Sequence, residues 1–474
     1  MTAQSPATTQ PITRRAWGVR ASGLVGLLAL TPGLAACASP QSAPTPKPSA
    51  MSGKLRFYTR GGEVETRGQA EILIPTFKKV APNVAVEHEI FTAADASDTY
   101  TLKLLAMYAA GTPPDLFGFG QNYFGFWARN MLADLTGYVN RDKFDLNQFH
   151  TGLADKFKVK GKYYGIPQLT TFGTLLFYNK NLFDEAGIKV PTTDWDDKSW
   201  SFDVMLDYAR RMTKNAGEPN ATYGLTYSPG NPHVHAWLWG GDTFLPEHYT
   251  EGIAQRTTID SKESVEGHQF AQDIRWKYHT TPRAGEPTSG ISFLNGRYAM
   301  DLNGGWNFWG YTVIKDFKWG VAAVPTQATN KQPNYNDFWE MSSESKQKDT
   351  AWEFIKHLSS VDVQREYVAL TGTPPTLKAA MDAWYKRFEG TQLAMTRAEI
   401  EKVTQGAIQP KRSQENADHT LIEWSKISAL YTPNVSTPLN ANQGTARDIL
   451  TKAKPLYDST VKEIYEQFKG KTPS

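Results

Sequence analysis

The stretch Lys54-Leu55-Arg56-Phe57-Tyr58 alternates polar and apolar residues with period two, and Val84-Ala85-Val86-Glu87-His88-Glu89-Ile90 does so again after the turn Ala81-Pro82-Asn83. Between them Leu73, Ile74, Phe77 and Val80 recur at helical spacing, although Pro75 weakens the middle of that helix. Strand, helix and strand in this order form a crossover unit of a parallel sheet, so the fold class is α/β. Ser201 is a suitable N-cap for a helix whose stripe is Phe202, Met205, Leu206, Ala209 and Met212. Another helix is expected from Asp349, with Ala351, Phe354, Ile355 and Leu358 apolar. No internal repeat is visible.

The chain opens with Arg14 and Arg15, followed by an uncharged stretch from Ala21 to Ala36 that Pro32 and Gly33 interrupt. A bilayer-spanning helix takes about 20 apolar residues, so residues 1–36 read as an export signal instead. Thr13-Arg14-Arg15-Ala16-Trp17 resembles a twin-arginine signal, and the general and twin-arginine routes both remain open. Leu34-Ala35-Ala36-Cys37 resembles the lipobox of bacterial lipoproteins, which implies a lipidated Cys37 at the mature N-terminus. Cys37 is the only cysteine in 474 residues, so no intrachain disulfide is possible and an anchor is the natural use of the thiol. Residues 37–53, rich in Pro, Ser and Ala, are expected to be a flexible linker at the outer face of the cytoplasmic membrane.

From Lys54 onward about 420 residues remain, more than one hydrophobic core usually serves, so two lobes are expected. With 51 basic against 48 acidic residues and no basic run, the chain lacks the electrostatic footprint of a nucleic-acid binder. No later apolar run is long enough to cross a bilayer. Gly61-Gly62 is not followed by the lysine of a phosphate loop, there is no nucleophile elbow, and His233-Val234-His235 has no third metal ligand nearby in sequence. No catalytic residue, metal or cofactor is therefore expected.

Several stretches, in order, resemble the extracellular solute-binding proteins of ABC sugar importers, specifically maltose-binding-protein-like lipoproteins. They are Phe77 to Val86, Gly111-Thr112-Pro113-Pro114-Asp115-Leu116, Asp155 to Pro167, and above all Leu176-Phe177-Tyr178-Asn179-Lys180-Asn181-Leu182-Phe183-Asp184-Glu185-Ala186-Gly187. Phe293 to Met300 with Gly304-Gly305-Trp306, Ser342 to Leu358, and Thr371-Gly372-Thr373-Pro374-Pro375 complete the resemblance. It implies a two-lobed periplasmic-binding-protein-like fold of type II, with a sugar held in the cleft and closed over by hinge rotation. Lobe 1 is then expected over 54–168 and 345–395, and lobe 2 over 169–344 and 396–474. The crossings are placed near Gln168–Gly173, Met341–Ser345 and Gln392–Glu399. The partners implied are a small carbohydrate and the ABC permease and ATPase subunits, with the receptor itself monomeric.

A sugar ring offers an apolar C–H face to aromatic rings and a rim of hydroxyls to hydrogen-bonding side chains. In LNGRYAMDLNGGWNFWG, Leu294 to Gly310, the resemblance places the stacking tryptophan at Trp306, while Phe308 and Trp309 suit the core. Trp237 and Trp239 would share one face if extended, either cleft or core. First-lobe contacts are expected at Phe119, Gln121 and Asn122. Maltose-binding protein has a charged residue where Asn122 aligns and a hinge carboxylate where Phe172 aligns, so maltose itself is not carried over. Arg60 and Glu63 follow the first strand, where ligands bind in parallel sheets. Trp339 and Glu340 precede the expected second crossing, and Arg412 lies in a late polar loop. Aromatics with carboxylates also describe a glycoside hydrolase cleft, with Asp115, Asp242, Asp301, Asp337 and Glu340 as candidate acids. A secreted hydrolase, or a receptor for glycerol phosphate or a polyol, is the alternative.

Overall fold

In the computed structural model the first alternating stretch forms β1 (Gly53–Arg60), parallel to β2 (Val84–Phe91) on one side and to β3 (Leu116–Gly118) on the other. The structure describes residues 50–91, 97–118, 122–229, 233–333, 335–414 and 417–472, without the side chains of Glu63, Ser97, Asp98, Phe157 and Asp418. The chain divides into two units, Met1–Pro44 and Thr45–Ser474, and everything described lies in the second. Because β1 is central, both its faces are covered: Leu55 and Phe57 enter one apolar layer and Tyr58 the other. The helix after β1 tolerates Pro75 because Gln69–Leu73 is π-helical. That leaves Pro75 in the first turn of Ile74–Val80, where a missing N–H costs nothing.

A short hairpin, β4 (Lys158–Val159) and β5 (Lys162–Tyr163), leads into β6 (Gly165–Thr170). Beyond it β7 (Thr174–Asn179), β8 (Tyr223–Tyr227), β9 (Tyr298–Gly304) and β10 (Trp319–Ala322) build a second sheet in the order β10-β7-β9-β8. After β11 (Gln332–Pro333), the chain rejoins the first sheet as β12 (Asn336–Met341), giving the order β2-β1-β3-β12-β6. A late strand, β13 (Ser413–Gln414), pairs with β11 in parallel. The result is a two-lobed α/β architecture with one sheet to each lobe.

The motif that carried the resemblance most strongly has a mechanical explanation. Leu175, Leu176, Phe177 and Tyr178 are buried in β7, each side chain contributing about 1.5–3 kcal/mol by burial. Asn179 then caps the helix Lys180–Ala186, its Oδ1 accepting from the N–H groups of Asn181 (3.0 Å) and Leu182 (3.3 Å). Gly187 ends the helix at φ +63°, a conformation glycine adopts without penalty. Ser201 caps the next helix, Phe202–Met212, whose buried face is Phe202, Met205, Ala209 and Met212. No helix among the described residues is long and apolar enough to cross a membrane.

Two crossings differ from expectation. The second occurs between Ala322 and Asn336, upstream of Met341–Ser345, because β12 inserts between β3 and β6 and pairs Trp339 with both Gly118 and Ile166. The third falls near Met381 rather than at Gln392–Glu399. Leu377 and Ala380 belong to the first lobe's core, whereas Met381, Trp384, Tyr385 and Phe388 are buried in the second. Trp384 holds the switch, 5.3 Å from the Phe172 ring and 5.2 Å from that of Phe308.

Glu340 is fully buried in β12, and neither carboxyl oxygen has a hydrogen-bond partner among the described residues. Burial, reinforced by the charge of Asp337, pushes its carboxyl well above the ordinary value of 4.5, so the folded chain holds Glu340 protonated. Above pH 4.5 the unfolded chain ionises this group and the folded chain does not, which costs stability at about 1.4 kcal/mol per pH unit until the folded group also titrates. Glu340→Gln should therefore raise the unfolding midpoint more at pH 8 than at pH 4, flattening its pH dependence. Calorimetric scans across that range would show it.

Candidate functional site

The two sheets meet end to end where the chain crosses between them. On the first lobe, β1, β3 and β6 finish at Arg60, Gly118 and Thr170, and antiparallel β12 starts at Asn336 opposite Thr170. On the second, β7 starts at Thr174 opposite the last residue of β9, Gly304. Strand ends of this kind are where α/β proteins bind ligands. The first two crossings are bonded together, Thr171 N–H donating to Tyr335 O at 3.2 Å. Gln332 adds a second tie, its Oε1 accepting from Thr174 N–H at 2.8 Å. Phe172 and Gly173 both have positive φ, +59° and +70°. For a buried phenylalanine that is a strained conformation, maintained here by packing against Trp384.

The double glycine before Trp306 is required by contact, not by backbone angle. Gly305 donates its N–H to Gly173 O at 2.7 Å, and a Cβ on it would lie 1.7 Å from Thr171 O. A Cβ on Gly304 would lie 2.1 Å from Trp306 Cη2, because the indole rests against that glycine. Trp306 thereby stands at the crossing, 36% exposed, with the Tyr335 ring edge-on at 5.2 Å. Its neighbours behave differently: Phe308 is fully buried and Trp309 packs against the core of the second lobe. Of the three aromatics, Trp306 is the most exposed.

On the first-lobe side lies a cavity of about 200 Å³. Its floor is Trp339 and Gln168, which press against Gly118: a Cβ there would lie 2.6 Å from Gln168 Oε1 and 2.6 Å from Trp339 Cζ3. Arg60, Glu65 and Asp337 bring one cationic and two acidic side chains to the wall. Gln69 is fixed by accepting from Thr59 Oγ1 (2.6 Å) and donating to Arg60 O (3.3 Å). Tyr367, Thr373 and the prolines Pro374 and Pro375 close the far side. Burial raises the Tyr367 phenol, so that hydroxyl stays protonated and can donate.

Of the residues singled out in the sequence, Trp306 stands at the crossing, and Arg60 and Trp339 line the cavity. Glu63 begins the helix Glu63–Gly68, but its side chain lies outside the described residues, as do Phe119, Gln121 and Cys37. Asn122 is buried, its amide reaching Thr101 Oγ1 (3.3 Å) and Ser425 Oγ (3.4 Å). Glu340 faces away from the cavity into the layer of Tyr100 and Tyr123, since side chains alternate along β12. Trp237 and Trp239 are not on an extended strand. Trp237 belongs to the helix Val234–Leu238 and is buried in the second core, while Trp239 ends that helix against Phe202 and Phe270 at 5.2 and 5.5 Å. Arg412 is a structural clamp, 3% exposed, donating to Gly406 O and Gln409 Oε1 and pairing with Asp196.

Gln168, Gln69, Tyr335 and Tyr367 were not anticipated. Period-two arithmetic would have separated Glu340 from Trp339, because Asp337 and Trp339 line the cavity and Glu340 does not. Among the other candidate acids, Asp115 accepts from Arg56 N–H and Ser345 Oγ, and Asp242 from Tyr249 Oη, so both are tied into structure. Asp301, pushed up to about 6 by burial, bonds Tyr311 within the second lobe.

A family model of bacterial extracellular solute-binding proteins matches residues 64–365. A binding protein of Brucella abortus (strain 2308) is 26% identical over 345 residues, which are 70% of this chain and 79% of that one. The multiple sugar-binding protein of Streptococcus mutans serotype c is 23% identical over 378 residues, 76% of this chain and 83% of its own. In fold, an ABC substrate-binding protein of Listeria monocytogenes in complex with cycloalternan superposes with a TM-score of 0.69 at 21% identity, covering 86% of this chain and 99% of that one. A match over most of the chain, on a two-lobed scaffold whose strand ends converge at the crossing, places this protein in the bacterial extracellular solute-binding protein family.

Proposed function

We propose that this protein is the carbohydrate receptor of an ABC importer, anchored by lipid on Cys37, and that it captures a sugar between its lobes and hands it unchanged to a membrane permease. The observation that carries this reading is the pairing of an exposed Trp306 at the crossing with a polar cavity floored by Trp339. Flat aromatic faces suit the C–H face of a pyranose, and the mixed amide, carboxylate and guanidinium rim suits its hydroxyls. The sugar-binding relative and the structural likeness to a receptor bound to cycloalternan support the same ligand class. In this reading Phe119, Gln121 and Glu63 supply further first-lobe contacts, and Asn122, which is buried and bonded to Thr101 and Ser425, supports them from behind.

Capture works by population shift. The sugar favours the closed arrangement only by the contacts that both lobes make with it at once. The crossings carry the motion, with the strained Phe172-Gly173 pair absorbing the backbone rotation.

The test is a thermal-shift screen against mono-, di- and oligosaccharides, polyols and glycerol phosphates, with recovery of each hit. A true ligand at a hundredfold excess over Kd stabilises by about 2.7 kcal/mol. A sugar that stabilises and returns intact supports the receptor. Stabilisation only by a glycerol phosphate, or cleavage of the hit, overturns it. Trp306→Ala should weaken sugar binding at least about tenfold, about 1.4 kcal/mol, while the unfolding midpoint of the unliganded protein stays put; titration calorimetry measures the first and scanning calorimetry the second. Cys37→Ser should move the protein from the membrane fraction to the soluble one, read by fractionation of expressing cells.

A further inference from the structure

We propose that Arg129 and Glu423 form a charged bridge between the lobes, separate from the crossings, that biases the unliganded protein toward its closed state. This rests on the lobe closure described above, and its first support is where each residue is fastened. Arg129 follows the helix Tyr123–Ala128, and the chain beyond it is bonded to β12 of the first sheet and its continuation: Ala133 N–H donates to Met341 O and Ser343 N–H to Met131 O, both at 2.9 Å. Arg129 therefore moves with the first lobe.

Glu423 precedes the helix Trp424–Ser428, in a C-terminal helical segment tied to residues 233–276, the stretch between β8 and β9 of the second sheet. Ile422 N–H donates to Gly252 O (2.9 Å), Gln272 Nε2 to Gly444 O (2.8 Å), and Asp458 Oδ1 accepts from Thr257 N–H (2.6 Å). That stretch is rooted in the second core through Trp237 and Ile274. Its helices Val234–Leu238 and Lys262–Trp276 approach so closely that a Cβ on Gly267 would lie 2.2 Å from His235 O. Glu423 therefore moves with the second lobe.

The pair is also built to hold. Its side chains are 27% and 17% exposed, so water and salt screen it less than an ion pair on the open surface. Arg129 is aimed by donating from Nη1 to Gly125 O at 2.9 Å, with its guanidinium over the Phe468 ring at 5.0 Å. Glu423 sits at φ +58°, an angle that glycine takes freely and glutamate does not, so a strained backbone presents this carboxylate. Two contacts flank the pair. At the other end of the same first-lobe helix Asn122 Nδ2 donates to Ser425 Oγ at 3.4 Å, and a Cβ on Gly252 would lie 2.8 Å from Phe124 Cδ1.

The unliganded protein, spin-labelled at Leu102→Cys and Val313→Cys with Cys37→Ser, is compared by pulsed electron resonance with Arg129→Gln, Glu423→Gln and the double variant, the unfolding midpoint being checked for each. Each single substitution should raise the ratio of long to short interlobe distances about three- to fivefold, and the double variant no further, because one pair is lost only once. Raising the ionic strength from about 0.1 to 1 M, which shortens the Debye length from about 10 to about 3 Å, should lengthen the distances in the protein that keeps the pair and leave Glu423→Gln nearly unmoved. Sugar affinity should fall by the factor by which the closed population falls. Unchanged distances in both single variants, or effects that add in the double variant, would overturn the bridge. No sugar enters the distance measurement, so if the distances shift as expected and no sugar binds, the bridge stands while the carbohydrate reading falls.

Discussion

Gly305 lies so close to the passage between the lobes that no other residue fits: a Cβ there would sit 1.7 Å from Thr171 O. That approach, sealed by the bond from its N–H to Gly173 O, ties the end of β9 to the start of β7 at the point where the chain leaves the first sheet. Everything near the cleft takes its position from this staple. Trp306 follows Gly305 and folds back over Gly304, so its exposed face is aimed by the crossing itself. Tyr335, against which the indole rests, is bonded through its carbonyl to Thr171. Trp306 and the first two crossings are thereby bonded into one unit.

Around that unit each sheet has its own apolar layer, and a further cluster packs Tyr58 and Phe117 of the first sheet with Phe244, Ile259 and Val265 and with Leu450 and Val461 of the last helix. The first sheet is covered on both faces, which is why β1 buries Leu55, Phe57, Tyr58 and Thr59 in near succession. The second sheet carries a dense aromatic layer in which Phe177 contacts Phe308, Tyr311 and Trp319 edge to face or tilted. Glu340, one residue from the cavity floor, is fully buried behind it, and that burial raises its carboxyl well above the ordinary value.

Local chemistry made part of this legible in the sequence. The caps at Asn179 and Ser201, the stop at Gly187 and the alternation of β1 and β2 are short-range signals, and each element formed where its residues asked for it. Trp306 was singled out by the resemblance, which places a stacking tryptophan after the double glycine, and the structure leaves its side chain exposed at the crossing. Trp237 and Trp239 misled because a short apolar run fits strand and helix alike, and His233 to Leu238 closes a helical turn against the second core. The later crossings were hidden for a different reason. Whether β12 joins one sheet or the other depends on the gap between β3 and β6, a long-range fact with no local residue signature. Arg412 looked available because its loop is polar, yet Trp195 and Asp196, distant in sequence, enclose it.

The account stands or falls on lobe closure by sugar. Leu102 on the first lobe and Val313 on the second are each 65% exposed, so cysteines at these two positions, in a chain whose only native cysteine is replaced by serine, accept spin labels without disturbing either core. Pulsed electron resonance then reads the interlobe distance with and without the sugar that stabilises the protein. The account predicts a broad distribution that narrows to a single population when sugar is added. A sugar that binds and leaves the distribution unchanged would contradict capture by closure.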